Sequence, residues 1–123
     1  MGSKALSDFA SEHFRFAEFA CNHCGELAPD GIPELLLEKL EKIREHYGLP
    51  MIINSGYRCP THNRNCGGAV FSQHKLGTAA DFYIKGVDPA QVFKDIDPYH
   101  DDGGLGKYPN FTHIDVRGTR ARW

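Results

Sequence analysis

The chain has 123 residues, of which 41% are hydrophobic, 24% charged and 11% aromatic. That is the make-up of one globular domain and excludes disordered and low-complexity classes. Lysine plus arginine number 14 and aspartate plus glutamate 16, a formal net charge of -2; a nucleic-acid-binding domain of this size is usually clearly basic, so no nucleic-acid partner is expected. No apolar run approaches the roughly 18 residues of a membrane span, and residues 1–9 lack the apolar stretch of a secretory signal. The whole chain, 1–123, reads as a single domain, with residues 1–8 a disordered or tag-derived tail.

A weakly amphipathic segment holds Phe14, Phe16 and Phe19 and runs into a Cys-Asn-His-Cys-Gly turn. The first strong element is a helix over residues 33–47. Leu36, Leu40, Ile43 and Tyr47 recur at helical spacing, Pro33 suits the first turn, and Gly48 and Pro50 end it. Residues 51–54 read as a short buried strand broken by Gly56. Residues 57–78, rich in Gly, Asn, Ser, Thr and Pro, read mainly as a long loop, and a loop of that length in a small domain is usually functional. Residues 79–84 alternate as a strand, with Ala80, Phe82 and Ile84 on one face and Asp81 and Tyr83 on the other. Asp88 caps a helix that starts at Pro89 and runs through Ile96. Gly103-Gly104 marks a turn or bulge, and residues 105–108 and 111–117 read as two strands joined by Pro109-Asn110. On the last, Phe111, His113, Asp115 and Arg117 share a face. Helices and strands in this non-alternating order imply an α+β fold, a small mostly antiparallel sheet flanked by short helices.

His74, Asp81 and His113 are ordinary zinc ligands by residue type. His74 precedes the strand of Asp81, and His113 lies on a later strand whose alternation can aim it to the same side. Three protein ligands leave a fourth tetrahedral position for water, the catalytic pattern. Spacing alone does not separate such a set from scattered surface residues.

The surrounding pattern does. Residues 72–81, Ser-Gln-His-Lys-Leu-Gly-Thr-Ala-Ala-Asp, form SxHxxGxAxD; His113-Ile114-Asp115 forms HxD; and Ser55-Gly56-Tyr57-Arg58 stands upstream of both. In this order the motifs resemble the zinc peptidase family of D-Ala-D-Ala carboxypeptidases, D-Ala-D-Ala dipeptidases and phage L-alanyl-D-glutamate endopeptidases, whose fold is shared with the Hedgehog signalling domain. Gly103-Gly104-Leu105-Gly106 and the run from Arg117-Gly118 to Ala121-Arg122-Trp123 look like the small phage-type members. The resemblance covers residues 14–123.

The resemblance implies zinc held by His74, Asp81 and His113, with peptidoglycan peptides as substrate. Arg58 falls on the arginine that meets the substrate carbonyl or carboxylate, a role suited to a guanidinium near a developing oxyanion; the alternative is a surface ion pair. Ser72 falls on a motif serine that binds substrate or caps a turn. Asp115 either orients a ligand imidazole or pairs with Arg117 or Arg58. One departure stands out: several relatives carry Glu or Asp three residues before the last histidine as general base, and here that residue is Asn110. His100, Asp101 and Asp102 are the upstream candidates, with Asp102 preferred and turn capping as its alternative. The expected protein is a monomeric zinc metallopeptidase, endolysin-like, cutting stem peptides or crosslinks as a carboxypeptidase or endopeptidase. It would be phage-encoded and act on the wall or in the periplasm, or be a periplasmic bacterial enzyme whose signal was removed. The alternative class is a non-catalytic zinc-bearing module for wall recognition or virion structure.

Cys21 and Cys24 form a CxxCG turn, and Cys59 and Cys66 flank the loop after Arg58. Three readings stay open: a structural four-cysteine zinc clasp, giving a second zinc; one or two disulfides; or free buried thiols.

Overall fold

The computed structural model describes residues 8–59, 61 and 73–123. Helix α1 spans Glu34–Tyr47, buries Leu36, Leu40 and Ile43, and follows Pro33 in extended conformation. It ends where Gly48 turns left-handed (φ 62°) and its N–H closes onto the Arg44 carbonyl. Strand β1 (Met51–Ser55) leads away from it. Helix α2 is one turn, Gln73–Leu76, and strand β2 is Ala79–Ile84. Helix α3 (Pro89–Ile96) begins where the Asp88 carboxylate accepts from the Ala90 amide at 2.9 Å. Strands β3 (Gly104–Lys107), β4 (Thr112–Asp115) and β5 (Ala121–Arg122) complete the chain.

The five strands lie in the order β1-β2-β4-β3-β5, antiparallel except for the parallel β3–β5 edge. The architecture is α+β, as the element order implies. One face of the sheet carries Ala80, Phe82, Ile84, Leu105 and Ile114 into a core shared with Leu36, Leu40 and Ile43 of α1, Val92 and Ile96 of α3, and Phe14 and Phe19 of the N-terminal segment. Each large side chain buried here contributes about 1.5–3 kcal/mol. That packing fixes which residues alternate onto the opposite face, where the polar residues Asp81, His113 and Asp115 lie.

The structure departs from the sequence reading in four places. The expected loop 57–78 contains the α2 turn; most of the rest of it lies outside the described residues. Strand β3 starts at Gly104, inside the expected turn, because the Gly104 amide is held by the Asp115 carboxylate at 2.8 Å. Strand β4 is shorter than 111–117: it ends at Asp115, past which the Val116 amide still donates to the Thr78 carbonyl just before β2. Strand β5 has no hydrophobic alternation to announce it. It is pinned by ladder bonds to β3 and by Arg122 and Arg120, whose guanidinium groups grip the Asp97 carboxylate. Residues 1–7 of the expected tail lie outside the described residues, while Asp8 is already tied in, its carbonyl accepting from the Phe16 amide. No helix among the described residues is long and apolar enough to cross a membrane.

Candidate metal centre

The β2–β4 register places Asp81 directly opposite His113 and Ala79 opposite Asp115. A bulge in β1 between Ile53 and Ser55 brings Ser55 opposite Asp81 on the other side. His74 enters from α2, one tight turn before β2; Gly77 closes that turn at φ 75°, and its amide donates to the His74 carbonyl at 3.2 Å. Two sequence-distant motifs therefore meet because neighbouring strands carry them in register.

Asp81 Oδ1 lies 3.1 Å from His74 Nε2 and 2.9 Å from His113 Nδ1. All three residues are buried. The other nitrogen of each ring is engaged. His74 Nδ1 donates to the Gly56 carbonyl at 2.7 Å, and His113 Nε2 donates to Asp115 Oδ2 at 2.8 Å. These bonds fix both tautomers. Neutral rings so held present two lone pairs to a carboxylate oxygen, an arrangement that repels itself unless a cation or an extra proton sits within it. The burial and charge balance say the same: desolvation depresses the His113 imidazole, but its bonds to Asp115 and Asp81 outweigh that and raise it above the ordinary histidine value. Burial raises the Asp81 carboxyl, and its bonds to His113 and His74 outweigh it, holding it at about 2. A tetrahedral zinc with bonds of about 2.0–2.1 Å spaces its ligand atoms about 3.3 Å apart, close to what the three donors show. The set can hold a metal ion with open positions for water and substrate.

Arg58 follows β1 and extends to this centre. Its Nη2 donates to Asp81 Oδ2 at 3.1 Å and its Nε to Ser55 Oγ at 3.3 Å, while its backbone amide donates to the His74 carbonyl at 3.0 Å. Its ion pair is with buried Asp81 beside the two histidines, not with a carboxylate at the surface.

Asp115 has no solvent exposure. Besides His113 it accepts from Arg117 Nε at 2.9 Å, Arg117 Nη2 at 2.8 Å and the Gly104 amide. Burial raises its carboxyl, and the bonds from His113, Arg117 and Gly104 reverse that, placing it well below the usual carboxylate range. With no exposure, Asp115 lies out of a substrate's reach and bears on the centre through His113. It pairs with Arg117, not Arg58.

Asp102 is not brought into the centre either. Its carboxylate pairs with Lys39 of α1 at 3.0 Å and lies 3.6 Å from His100 Nδ1. Asp101 pairs with Arg120. His100 is buried and donates from Nε2 to the Asp115 carbonyl at 2.8 Å, with burial lowering its imidazole below the ordinary value. Asn110 is exposed in the turn before β4. Ser72 lies outside the described residues.

The roles of three residues escaped the sequence reading. Gly104 presents its amide to Asp115, and a Cβ there would collide with that carboxylate. His100 props the Asp115 backbone. The Trp123 ring lies 4.9 Å from the His113 ring and 5.2 Å from the Arg117 guanidinium, walling the centre. The repeated glycines at the start of β3 offered a signal for the first, while residue type alone did not tell what His100 and Trp123 do.

A second group of donors is formed by Cys21, Cys24 and Cys59. No disulfide joins these three to one another, and Cys66 lies outside the described residues. Burial raises the Cys21 thiol, and amide hydrogen bonds from Cys59, Cys24 and His23 outweigh it, lowering it to about 7. Glu12, His13 and Glu41 form a third, more exposed cluster.

Two tautomer-locked imidazoles and a carboxylate on an α+β sheet, flanked by a guanidinium, suit a zinc centre, and the family match makes the class a zinc metallopeptidase. The Peptidase M15 family model matches residues 12–115, and the chain belongs to that family. No curated protein matches it.

Proposed function

We propose that this chain hydrolyses peptide bonds in peptidoglycan stem peptides or crosslinks, as a carboxypeptidase or endopeptidase of the small endolysin type. The observation that carries the reading is the convergence of His74 Nε2, His113 Nδ1 and Asp81 Oδ1 beside Arg58. Bound zinc supplies a Lewis acid and a water of lowered pKa at neutral pH. The residues of the chain do the rest. The Gly56 carbonyl and the Asp115 carboxylate keep each histidine in its metal-binding tautomer. Arg58, anchored at Asp81 and Ser55, stands ready to hold a substrate carboxylate or the charge that develops on the scissile carbonyl oxygen. Trp123 and Arg117 close one side of the centre and restrict water.

The SxHxxGxAxD and HxD motifs, with Ser-Gly-Tyr-Arg before them, support the peptidoglycan assignment. All three motifs lie within the residues that the family model matches. We read the chain as one monomeric domain acting on the wall or in the periplasm, of phage or bacterial origin.

A second reading is a zinc-bearing module that binds wall fragments without turnover. It is favoured by exposed Asn110 at the expected base position and by the commitment of Asp102 to Lys39.

Turnover of purified muropeptides, followed by mass spectrometry, separates the two. Wild type releases product; His113→Ala loses zinc and product together. Arg58→Met keeps zinc and loses roughly 100–1000-fold in kcat/KM, the scale of one oxyanion donor. Fragment binding by zinc-loaded wild type with no product defeats the hydrolase reading.

A further inference from the structure

We propose that Cys21, Cys24 and Cys59 bind a second, structural zinc that clamps the N-terminal turn onto the segment carrying Gly56 and Arg58. The three sulfurs lie within 4.8 Å of one another. Zn–S bonds of about 2.3 Å in a tetrahedron put sulfurs about 3.8 Å apart, so closing onto a metal needs only small side-chain rotations.

The turn is built as a metal-binding turn. Cys21 and Cys24 have the two-residue spacing of zinc-binding pairs. The Gly25 amide donates to the Cys21 carbonyl at 2.7 Å, and Gly25 takes φ 76°, which folds the chain back sharply. The amide of Cys59 donates to Cys21 Sγ at 3.4 Å, joined by the amides of His23 and Cys24. Several N–H donors on one sulfur suit a thiolate and are wasted on a neutral thiol. Three thiolates this close repel one another, and a divalent soft-tolerant cation removes the repulsion, the thiol protons passing to solvent as it binds. A disulfide is the competing use of these sulfurs, and it would show in the mass of the native protein.

The clamp has a consequence for the catalytic centre. The Tyr57 amide donates to the Phe19 carbonyl at 3.0 Å, Asn22 Nδ2 donates to the Asn54 carbonyl at 3.0 Å, and Gly56 sits against the Phe19 backbone. Cys59 is the residue after Arg58. A metal joining Cys59 to the turn thus fixes both ends of the short stretch whose carbonyl at Gly56 orients His74 and whose Arg58 reaches Asp81.

The test counts metal in the intact chain. Wild type purified under reducing conditions should hold two zincs by mass spectrometry, one released by a thiol-blocking mercurial. His113→Ala should retain the mercurial-labile zinc, and its cobalt-substituted form should show thiolate-to-cobalt charge transfer. Cys24→Ser, at an exposed position, should retain only the mercurial-resistant zinc. One zinc in wild type with none in His113→Ala overturns the proposal, as does a cobalt spectrum without charge transfer. A mass lower by two hydrogens in the native protein, which marks a disulfide, overturns it too. Since the His113 and Cys24 variants strip different metals, failure of the clamp is distinguishable from failure of the catalytic assignment.

Discussion

Replacing Asp115 with asparagine tests how the centre is held. The carboxylate accepts from His113 Nε2 at 2.8 Å, Arg117 Nε at 2.9 Å, Arg117 Nη2 at 2.8 Å and the Gly104 amide at 2.8 Å. An amide keeps one acceptor oxygen. With that oxygen left toward Gly104 and Arg117 Nε, the new NH2 faces His113 Nε2 and Arg117 Nη2, both donors. The cheapest relief is a tautomer change: the His113 proton moves to Nδ1, and Nε2 accepts from the amide. In the metal-free protein this costs little, because Nδ1–H then donates to Asp81 Oδ1, 2.9 Å away. In the zinc-loaded protein that proton occupies the ligand lone pair. The loss should therefore fall on zinc affinity, about 10–100-fold, the usual scale for a residue orienting a metal ligand.

At saturating zinc that factor removes about 1.4–2.7 kcal/mol of metal-conferred stability. At about 3–5 °C per kcal/mol for a chain of this length, Tm in zinc should drop by roughly 4–13 °C more than Tm in chelator. Competition with a chromogenic chelator and paired thermal melts measure both quantities. Arg117→Gln is the control: Arg117 is partly exposed, so its removal should lower Tm about equally with and without zinc. The reasoning fails if Asp115→Asn binds zinc within twofold of wild type, or if both variants lose stability alike in zinc and in chelator.

Two further outcomes are expected. Gly104→Ala places a methyl against the Asp115 carboxylate and should cost about 1–3 kcal/mol in denaturant unfolding, with zinc affinity falling too; a Tm and affinity equal to wild type would show that this contact is not limiting. Burial raises the Glu41 carboxyl, but bonds from Ser11 and His13 outweigh it and lower it. A lowered carboxyl stabilises the fold above its unfolded value, about 4.3, and the contribution is lost as pH falls through the folded one. Hydrogen exchange at residues 8–15 should therefore accelerate in acid below about pH 4 in wild type. In Glu41→Gln it should be fast already at pH 6; an equal response in both proteins would assign the acid step elsewhere.

Much of the fold was legible because its signals are local. The Leu36-Leu40-Ile43 stripe, the Asp88-Pro89 cap and the alternation of Ala80, Phe82 and Ile84 each specify their element within a few residues. The donor set was legible because Asp81 and His113 lie on strands whose alternation is set by apolar neighbours. What stayed hidden depends on partners distant in the chain. Lys39 on α1 claims Asp102, and β5 pairs with β3 without any apolar alternation of its own, bringing Trp123 to His113. His100 looked like a candidate base by residue type, yet the fold uses it as a buried donor to the Asp115 carbonyl.

The contacts around His74 and His113 share one logic. Each ring must expose a bare nitrogen to the centre, and each does so because its other nitrogen is held by an acceptor that cannot move independently of the sheet. For His113 the acceptor is Asp115 on the same strand, itself gripped by Gly104 of the neighbouring strand. For His74 it is the Gly56 carbonyl at the end of β1, just past the bulge and tight against Phe19. The first acceptor is secured by strand pairing. The second is secured by a chain segment leaving the sheet and by the N-terminal turn packed on it. The side of the centre that carries Arg58 is therefore the side that depends on how firmly residues 19–24 are fastened, which is where the three cysteine sulfurs meet.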